Sequence, residues 1–181
     1  MKKIFFDLGP GVENSEAFRK DIWKGYEIIG LEPDPIRYNN LKDSFPGILL
    51  NLAVSDKNQE IFGIIHNTSG FIAGGYPSYT DTIMVNAVTL DSVYEKYGPA
   101  DEIIIWADIE GSELKMLKGA TEVLKKTKKI TVELHTCPKT TEWCNSTDVY
   151  NYLIDLGFTP DKKEKPQTEK DSCYDTTFIR E

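Results

Sequence analysis

Short apolar segments alternate with amphipathic helical patterns along most of the chain, and this alternation constrains the fold more than any other feature. The predicted strands are 4–6, 26–31, 48–54, 60–65, 83–88, 103–107, 130–134 and 176–179. The predicted helices are 14–24, a segment that begins at 35, and 90–97, 112–126 and 147–156. Strands that alternate with helices form a mostly parallel sheet covered on both faces. We therefore expect a doubly wound, Rossmann-like α/β fold in a single domain over residues 1–181.

The end of the chain departs from this rhythm. A charged segment, 161–171, separates Phe158 from the last predicted strand and contains no helical pattern. Strands joined without a crossover helix pair antiparallel. The sequence thus predicts one antiparallel strand at the edge of an otherwise parallel sheet.

The charge balance limits the kinds of partner. The chain has 29 acidic and 21 basic residues and a formal charge of −8. Broad contact with nucleic acid requires clustered lysine and arginine. We expect no extended nucleic-acid partner, although a small nucleic-acid substrate at one site stays open.

Membrane insertion and export are not predicted either. The longest apolar run, 103–107, is far shorter than the roughly 20 residues of a membrane-spanning helix. Asp7 interrupts the apolar start of the chain, so no signal peptide is expected. An odd number of cysteines, three, favours free thiols in a reducing compartment. The sequence predicts a cytoplasmic protein without a membrane partner.

Acidic or polar residues follow nearly every predicted strand of the sheet. The carboxyl ends of parallel strands meet at one edge, and open α/β sheets bind ligands there. The residues at these ends are Asp7, Glu32, Ser55, Asp56, Asp108, Glu110, Glu133 and His135. One such acid is as often structural as functional, but the whole set predicts a binding site at this edge.

The turn after the first strand is rich in glycine. Gly9 and Gly11 lie between a strand and a predicted helix, which is the context of a nucleotide-binding turn. Glu32 follows Asp7 by 25 residues, near the spacing at which an acid after the second strand binds a ribose diol. Together they predict a ligand that contains adenosine.

Residues 13 and 14 decide between the candidate nucleotides. Asn14 stands where a dinucleotide turn has its third glycine, and Glu13 places a negative charge where a diphosphate would lie. Two like charges about 4 Å apart repel by roughly 1 kcal/mol in water and by several times that in a partly buried site. S-adenosylmethionine has no phosphate and carries a sulfonium cation, so the acidic edge favours it over NAD or FAD.

Several short segments match a known family in order and spacing. They are 6–9, 30–35, 52–56, 88–92, 107–114 and 117–120, within about residues 4–135. The chain resembles the FkbM type of class I S-adenosylmethionine-dependent methyltransferases. The resemblance implies a seven-stranded sheet with an antiparallel last strand and methyl transfer, commonly to a hydroxyl of a sugar or another small molecule.

The resemblance also implies roles for single residues. The residues implied to bind the cofactor are Asp7, Gly9 and Gly11 for its methionine part, Glu32 for its ribose, and Ala53, Val54 and Ser55 for its adenine. Family members usually have glycine where this chain has Glu13.

Three residues are candidates for catalysis. Asp108 and Glu110 follow the fourth strand of the parallel sheet, where the methyl group should point. His135 follows the fifth and is a candidate base near neutral pH. A hydroxyl acceptor benefits from a group that takes its proton, and each of the three can do so.

No metal site is predicted, although several carboxylates near one point leave a divalent cation open. The spacing of His135, Cys137 and Cys144 fits no standard zinc site, and Cys173 lies in the distant edge hairpin. The cysteines are therefore interpreted as packing residues. The polar and aromatic loop 66–82 is a candidate lid over the acceptor.

The favoured hypothesis is an enzyme that methylates a hydroxyl of a small-molecule or carbohydrate acceptor. The alternative is a module of the same fold that binds S-adenosylmethionine or a related nucleoside without turnover. A nicotinamide oxidoreductase ranks last because the third glycine is missing.

Overall fold

The computed structural model describes residues 1–11, 15–19, 21–66, 70–74, 82–135, 144–161 and 173–181. The strands are β1 (Lys3–Leu8), β2 (Glu27–Leu31), β3 (Ile48–Leu50), β4 (Ala53–Val54), β5 (Gln59–His66), β6 (Gly70–Ala73), β7 (Thr82–Val88), β8 (Glu102–Ala107), β9 (Thr127–His135), β10 (Thr159–Pro160) and β11 (Cys173–Ile179). The α-helices are α1 (Pro35–Leu41), α2 (Leu90–Tyr97), α3 (Glu113–Lys118), α4 (Thr121–Lys126) and α5 (Ser146–Asp155).

Seven strands form the main sheet in the order β10-β11-β9-β8-β1-β2-β3. The strands from β9 to β3 are parallel, and β11 pairs antiparallel with β9. The predicted seven-stranded sheet with an antiparallel last strand is confirmed. The chain runs outward from β1 through β2 to β3 and then returns to the other side of β1 as β8, so the strand order reverses between β1 and β8. Such a reversal opens a crevice at the carboxyl ends of the strands.

The strand predicted over 48–54 is divided between two sheets. β3 pairs with β2 in the main sheet, whereas β4 pairs with β7 in a second sheet of order β4-β7-β5-β6. The side-chain amide of Asn51, at the break, donates hydrogen bonds to the carbonyls of Glu32 at 2.8 Å and Pro33 at 3.2 Å. These bonds hold the chain where it leaves the main sheet.

The second sheet also corrects the prediction for the loop 66–82. β6 lies inside that segment and pairs antiparallel with β5. Periodicity missed it because four residues are too few to show an alternating pattern. Residues 67–69 and 75–81 lie outside the described residues, so the proposed lid is not tested.

The helix predicted over 14–24 is wrong where the chain is described. A 3-10 helix, Glu16–Phe18, and turns take its place. The buried carboxylate of Asp7 accepts a hydrogen bond from the Ala17 amide at 2.8 Å and another from the Ser15 hydroxyl at 3.1 Å. These bonds tie the segment to the end of β1, and Ser15 does not cap the helix with its side chain.

The helix predicted over 112–126 is broken at Gly119 into α3 and α4. A Cβ atom at Gly119 would lie 2.2 Å from the Ser55 carbonyl oxygen, so only glycine fits at this position. The carboxylate of Asp91 accepts hydrogen bonds from the amides of Glu122 and Val123 and thereby caps the new helix start. At α5, the side chain of Asn145 accepts a hydrogen bond from the Thr147 amide at 2.8 Å and caps the helix.

Both faces of the main sheet are covered. Ile4, Phe6 and Ile105 are fully buried in the larger core, together with residues of α2 to α5. On the opposite face, the ring of Phe5 stacks on Trp23 with 3.7 Å between centroids. Among the described residues, no helix combines the length and apolar character needed to cross a membrane.

Asp7 should be important for stability. In Asp7→Ala, the fully buried amide of Ala17 loses its acceptor, and we expect the free energy of unfolding to fall by about 1–3 kcal/mol. Urea unfolding followed by circular dichroism measures this change. Asp21→Ala, at an exposed position, is the control and should stay within about 0.5 kcal/mol of the wild type. Equal losses in the two variants would contradict the assigned role of Asp7.

Candidate functional site

A cleft opens at the carboxyl ends of β1, β2, β4 and β8, where the strand order of the main sheet reverses. About 490 Å³ of space, part of it open to solvent, lies between its walls. Its lining residues are Gly9, Leu31, Glu32, Pro33, Arg37, Ala53, Val54, Ile61, Phe71, Ala73, Asp108, Ile109, Glu110 and Ser112. The cleft therefore gathers six of the ten predicted site residues: Gly9, Glu32, Ala53, Val54, Asp108 and Glu110.

The glycine turn forms one wall of the cleft through its backbone. Gly9 has φ +79°, and a Cβ atom there would lie 2.0 Å from the carbonyl oxygen of Asp108. Gly11 has φ +55°, and its Cβ atom would lie 2.8 Å from an Arg37 guanidinium nitrogen. At Gly9 the neighbouring atom belongs to the backbone, so only glycine combines the left-handed conformation with this close approach.

Glu32 lies against the cleft and fastens the glycine turn to α1. Its carboxylate accepts hydrogen bonds from the amides of Gly11 and Asp34, each at 2.9 Å. Burial raises the pKa of Glu32 to about 7, although the two amides and the charge of Arg37 act in the opposite direction. Deprotonated Glu32 can still accept further hydrogen bonds, because each carboxylate oxygen has more than one lone pair.

Asp7, Gly11, Ser55 and His135 do not line the cleft. Asp7 is directed to Ser15 and Ala17, and burial raises its pKa to about 6. Ser55 is buried, and its hydroxyl contacts the carboxylate of Asp56 at 3.2 Å.

Arg37 is a cleft residue that sequence analysis missed. Its side chain is 21% exposed, and its Nε lies 3.8 Å from the carboxylate of Asp34, the N-cap of α1. A Cβ atom at Gly70 would lie 2.7 Å from the guanidinium, so Arg37 lies between the glycine turn and the start of β6. The sequence did contain a signal for Arg37, because this residue lies in the first turn of the helix that follows Glu32.

The hairpin of β5 and β6 supplies an apolar wall that was also missed. Ile61, Phe71 and Ala73 line the cleft from this hairpin. Phe71 is only 8% exposed, so its ring is held in place. No signal in the sequence could reveal this wall, because the pairing of β5 with β6 brings it to the cleft.

Three carboxylates cluster at the end of the cleft formed by β8 and β9. Oxygens of Asp108, Glu110 and Glu133 all lie within 4.8 Å of one another. Partial removal from water and the charges of Glu133 and Glu110 raise the pKa of Asp108 well above its usual value. Glu110 has a left-handed backbone, φ +51°, which is unusual for a residue with a side chain.

Glu113 holds this strained turn. It is fully buried and accepts hydrogen bonds from the amides of Gly111 at 3.2 Å and Ile109 at 3.4 Å. The thiol of Cys144 contacts its other oxygen at 3.5 Å. Burial raises the pKa of Glu113 to about 7. The motif that contains Glu113 was noticed in the sequence, but no role was predicted for this residue.

His135 is buried behind Glu133, with 3.0 Å between its Nε2 and the Oε2 of Glu133. Burial alone would lower the pKa of His135, but the carboxylates of Glu133 and Glu113 outweigh it and raise the pKa.

The predicted separation of Cys173 from His135 is wrong. Cys173 faces His135 across the β9–β11 pair, and its sulfur lies within 4.8 Å of donor atoms of His135 and Glu133. The two residues are 38 positions apart in the sequence, but the antiparallel pairing of β9 with β11 places them opposite each other. Cys137, Glu13 and Asn14 lie outside the described residues, so the interpretations that depend on them stay predictions.

The family profile of the methyltransferase FkbM domain matches residues 9–160. No curated protein matches the chain significantly in sequence.

Three solved structures illustrate the likeness in fold. Magnesium protoporphyrin IX methyltransferase from Synechocystis PCC 6803, with bound S-adenosylmethionine, is 10% identical, with a TM-score of 0.51 over 99% of this chain and 71% of that chain. Precorrin-6y C5,15-methyltransferase from Geobacter metallireducens is 14% identical, with a TM-score of 0.51 over 100% and 82%. A putative tRNA (m1A22) methyltransferase from Streptococcus pneumoniae is 13% identical, with a TM-score of 0.50 over 99% and 64%. At these identities the likeness shows the fold alone.

The raised pKa of Glu32 predicts a pH dependence of stability. Because folding raises this pKa from 4.5 to about 7, the folded state holds the proton more tightly. The contribution of Glu32 to stability is therefore complete below pH 4.5 and is lost as the pH rises through 7, by roughly 3 kcal/mol. Urea unfolding between pH 4.5 and 8 should show a smaller loss in Glu32→Gln than in the wild type.

The control for this experiment is Glu60→Gln, at an exposed position. It should keep the wild-type pH profile. If Glu32→Gln keeps that profile as well, Glu32 is not the group that titrates.

Proposed function

The chain belongs to the methyltransferase FkbM domain family, and on this basis we propose that it transfers a methyl group to a hydroxyl oxygen of a small-molecule or carbohydrate acceptor. By family and fold it is an S-adenosylmethionine-dependent methyltransferase. The acceptor class and the roles of single residues are the proposal. The observation that carries it is the cluster of Asp108, Glu110 and Glu133 at one end of the cleft that also contains Glu32.

The residues of the cleft fit S-adenosylmethionine. The glycine turn presents the backbone of Gly9 to the cleft, and the carboxylates beside it match a cation better than a phosphate. S-adenosylmethionine supplies a methyl group on a positively charged sulfur. The acidic end of the cleft attracts that charge, which also agrees with the absence of a third glycine at residue 14.

Each wall of the cleft has a proposed role in binding. Glu32 accepts hydrogen bonds from the ribose hydroxyls, since its oxygens have lone pairs left after the two amides. Gly9 presents backbone to the methionine part, and Gly11 supports the turn through its hydrogen bond to Glu32. Ala53 and Val54, with the apolar hairpin wall, pack on the adenine. Asp7 and Ser55 support these walls from behind and do not contact the cofactor.

The proposed chemistry needs two things from the protein. It must hold the acceptor oxygen in line with the methyl group, and it must take the proton of the hydroxyl. Asp108 and Glu110 line the cleft and are the groups that receive this proton. His135 does not reach the cleft, so it acts as a positioning residue that holds Glu133 beside Asp108.

The acidic composition supports a small acceptor over an extended nucleic acid. A formal charge of −8 and a carboxylate cluster at the cleft oppose a polyphosphate chain. One protein of the same fold is a putative tRNA methyltransferase, so the fold itself is compatible with either class of acceptor.

Cofactor affinity should depend on Glu32. We expect Glu32→Ala to weaken binding of S-adenosylmethionine and S-adenosylhomocysteine by about 10- to 100-fold, the loss typical of hydrogen bonds to a charged group. Isothermal titration calorimetry gives the affinities. Glu27→Ala, which removes a half-exposed partner of Lys2, is the control and should bind like the wild type. No binding of either ligand to the wild type at millimolar concentration would falsify the proposed site.

Turnover should depend on Asp108. Asp108→Asn keeps the shape of the side chain but removes its capacity to take a proton, so we expect kcat to fall by about 10²–10⁴ while cofactor affinity changes little. A panel of sugars and small alcohols, followed by S-adenosylhomocysteine release, measures this. Asp101→Asn, at an exposed position directly before β8, is the matched control. Tight cofactor binding with no transfer to any acceptor would instead support the non-catalytic binding module.

A further inference from the structure

One face of the β9–β11 ladder is polar from its middle to its end. The cross-strand pairs on this face are Thr131 with Thr177, Glu133 with Asp175, and His135 with Cys173. The two threonine hydroxyls are 2.8 Å apart, which shows that paired residues on this face meet side chain to side chain. The opposite face of the same ladder carries Ile130 and Phe178 into the core.

The last pairs of this face place three different donor atoms together. The Nε2 of His135 lies 3.0 Å from the Oε2 of Glu133. One donor atom from each of Glu133, His135 and Cys173 lies within 4.8 Å of the other two. Ligands of a tetrahedral ion with bonds of 2.0–2.3 Å are separated by about 3.3–3.8 Å. The upper bound of 4.8 Å exceeds this range by about 1 Å.

We propose that Glu133, His135 and Cys173 bind a single divalent transition-metal ion of the zinc type. Imidazole and thiolate are ligands that zinc prefers, whereas magnesium and calcium take oxygen ligands almost alone. Three protein ligands leave a fourth position for water or another oxygen, as in zinc sites that remain open to ligands. This donor set distinguishes the site from the purely acidic cluster beside it.

The backbone holds the three donors in place without a metal. Glu133 and His135 are two residues apart on one strand and therefore face the same side. Hydrogen bonds of the ladder fix the register that sets Cys173 opposite His135. A site built on two paired strands is already positioned, so the ion need not order a loop to bind.

The site adjoins the proposed catalytic cluster through Glu133. An oxygen of Glu133 also lies within 4.8 Å of oxygens of Asp108 and Glu110. A cation held by Glu133 would place positive charge beside the carboxylates at the end of the cleft. Metal binding is nevertheless independent of the proposed methyl transfer, and it is tested without cofactor or acceptor.

Cys144 provides a matched control within the same chain. Its thiol also contacts a carboxylate, Oε2 of Glu113, at 3.5 Å. Among the described residues, however, Cys144 belongs to no group of three potential metal ligands. Both cysteines are half-buried, so serine variants of the two carry comparable changes in packing.

The experiment titrates the 181-residue chain, reduced and freed of metal with a chelator, with Co²⁺, which reports thiolate ligation through a sulfur-to-cobalt charge-transfer band. The wild type should take up one equivalent with this band, and Zn²⁺ should displace the cobalt. Cys173→Ser should abolish the band and weaken cobalt binding at least about tenfold, since even an outer partner of a ligand has that effect. Cys144→Ser should behave like the wild type.

Thermal unfolding supplies a second measurement. Zn²⁺ should raise the Tm of the wild type and Cys144→Ser but not that of Cys173→Ser, because an ion that binds only the folded state stabilises it. Equal Tm values of the two serine variants without metal show that both are folded. The proposal is overturned if no charge-transfer band forms at one equivalent, or if the band persists in Cys173→Ser.

Discussion

The close approach of the first strand's turn to the end of β8 is the constraint on which the cleft depends. With only 2.0 Å between the position of a Cβ atom at residue 9 and the Asp108 carbonyl oxygen, no side chain fits there. The two strand ends can therefore meet at the point where the strand order reverses. Glu32 then ties the same turn to α1 through the Gly11 amide. This contact between two backbone segments thus sets the distance between the glycine turn and the cluster of Asp108, Glu110 and Glu133.

The second constraint is electrostatic. Asp7, Glu32 and Glu113 are all buried near the same edge of the sheet, and burial raises the pKa of each above its ordinary value. Burying a charged carboxylate costs free energy, and at each of these residues hydrogen bonds from backbone amides offset part of it. A positively charged ligand in the cleft favours their ionised forms.

Much of the fold followed from local patterns. The alternation of strands and helices predicted the parallel sheet, and the charged segment without a helix predicted its antiparallel last strand. The local sequence pattern gave wrong helix boundaries where residues distant in the sequence determine the structure. Asp7 holds Ser15 and Ala17 outside a regular helix. The carbonyl of Ser55 leaves room for only glycine between α3 and α4. β6 was missed because its four residues are defined by pairing with β5.

The sequence alone determined which chemical groups the edge of the sheet can offer, because strand ends can be identified from apolar runs and the residues after them are fixed. It therefore indicated Glu32, Asp108, Glu110 and His135 before any coordinate was known. Only the tertiary structure decided which of them share a cavity and which lie behind it. Arg37 lines the cleft, whereas His135 lies behind Glu133. Cys173 lies opposite His135 on the paired strand. The physical reason is that side-chain neighbours in a sheet are set by register and crossover, which hydrogen bonds between distant segments fix and no local pattern encodes.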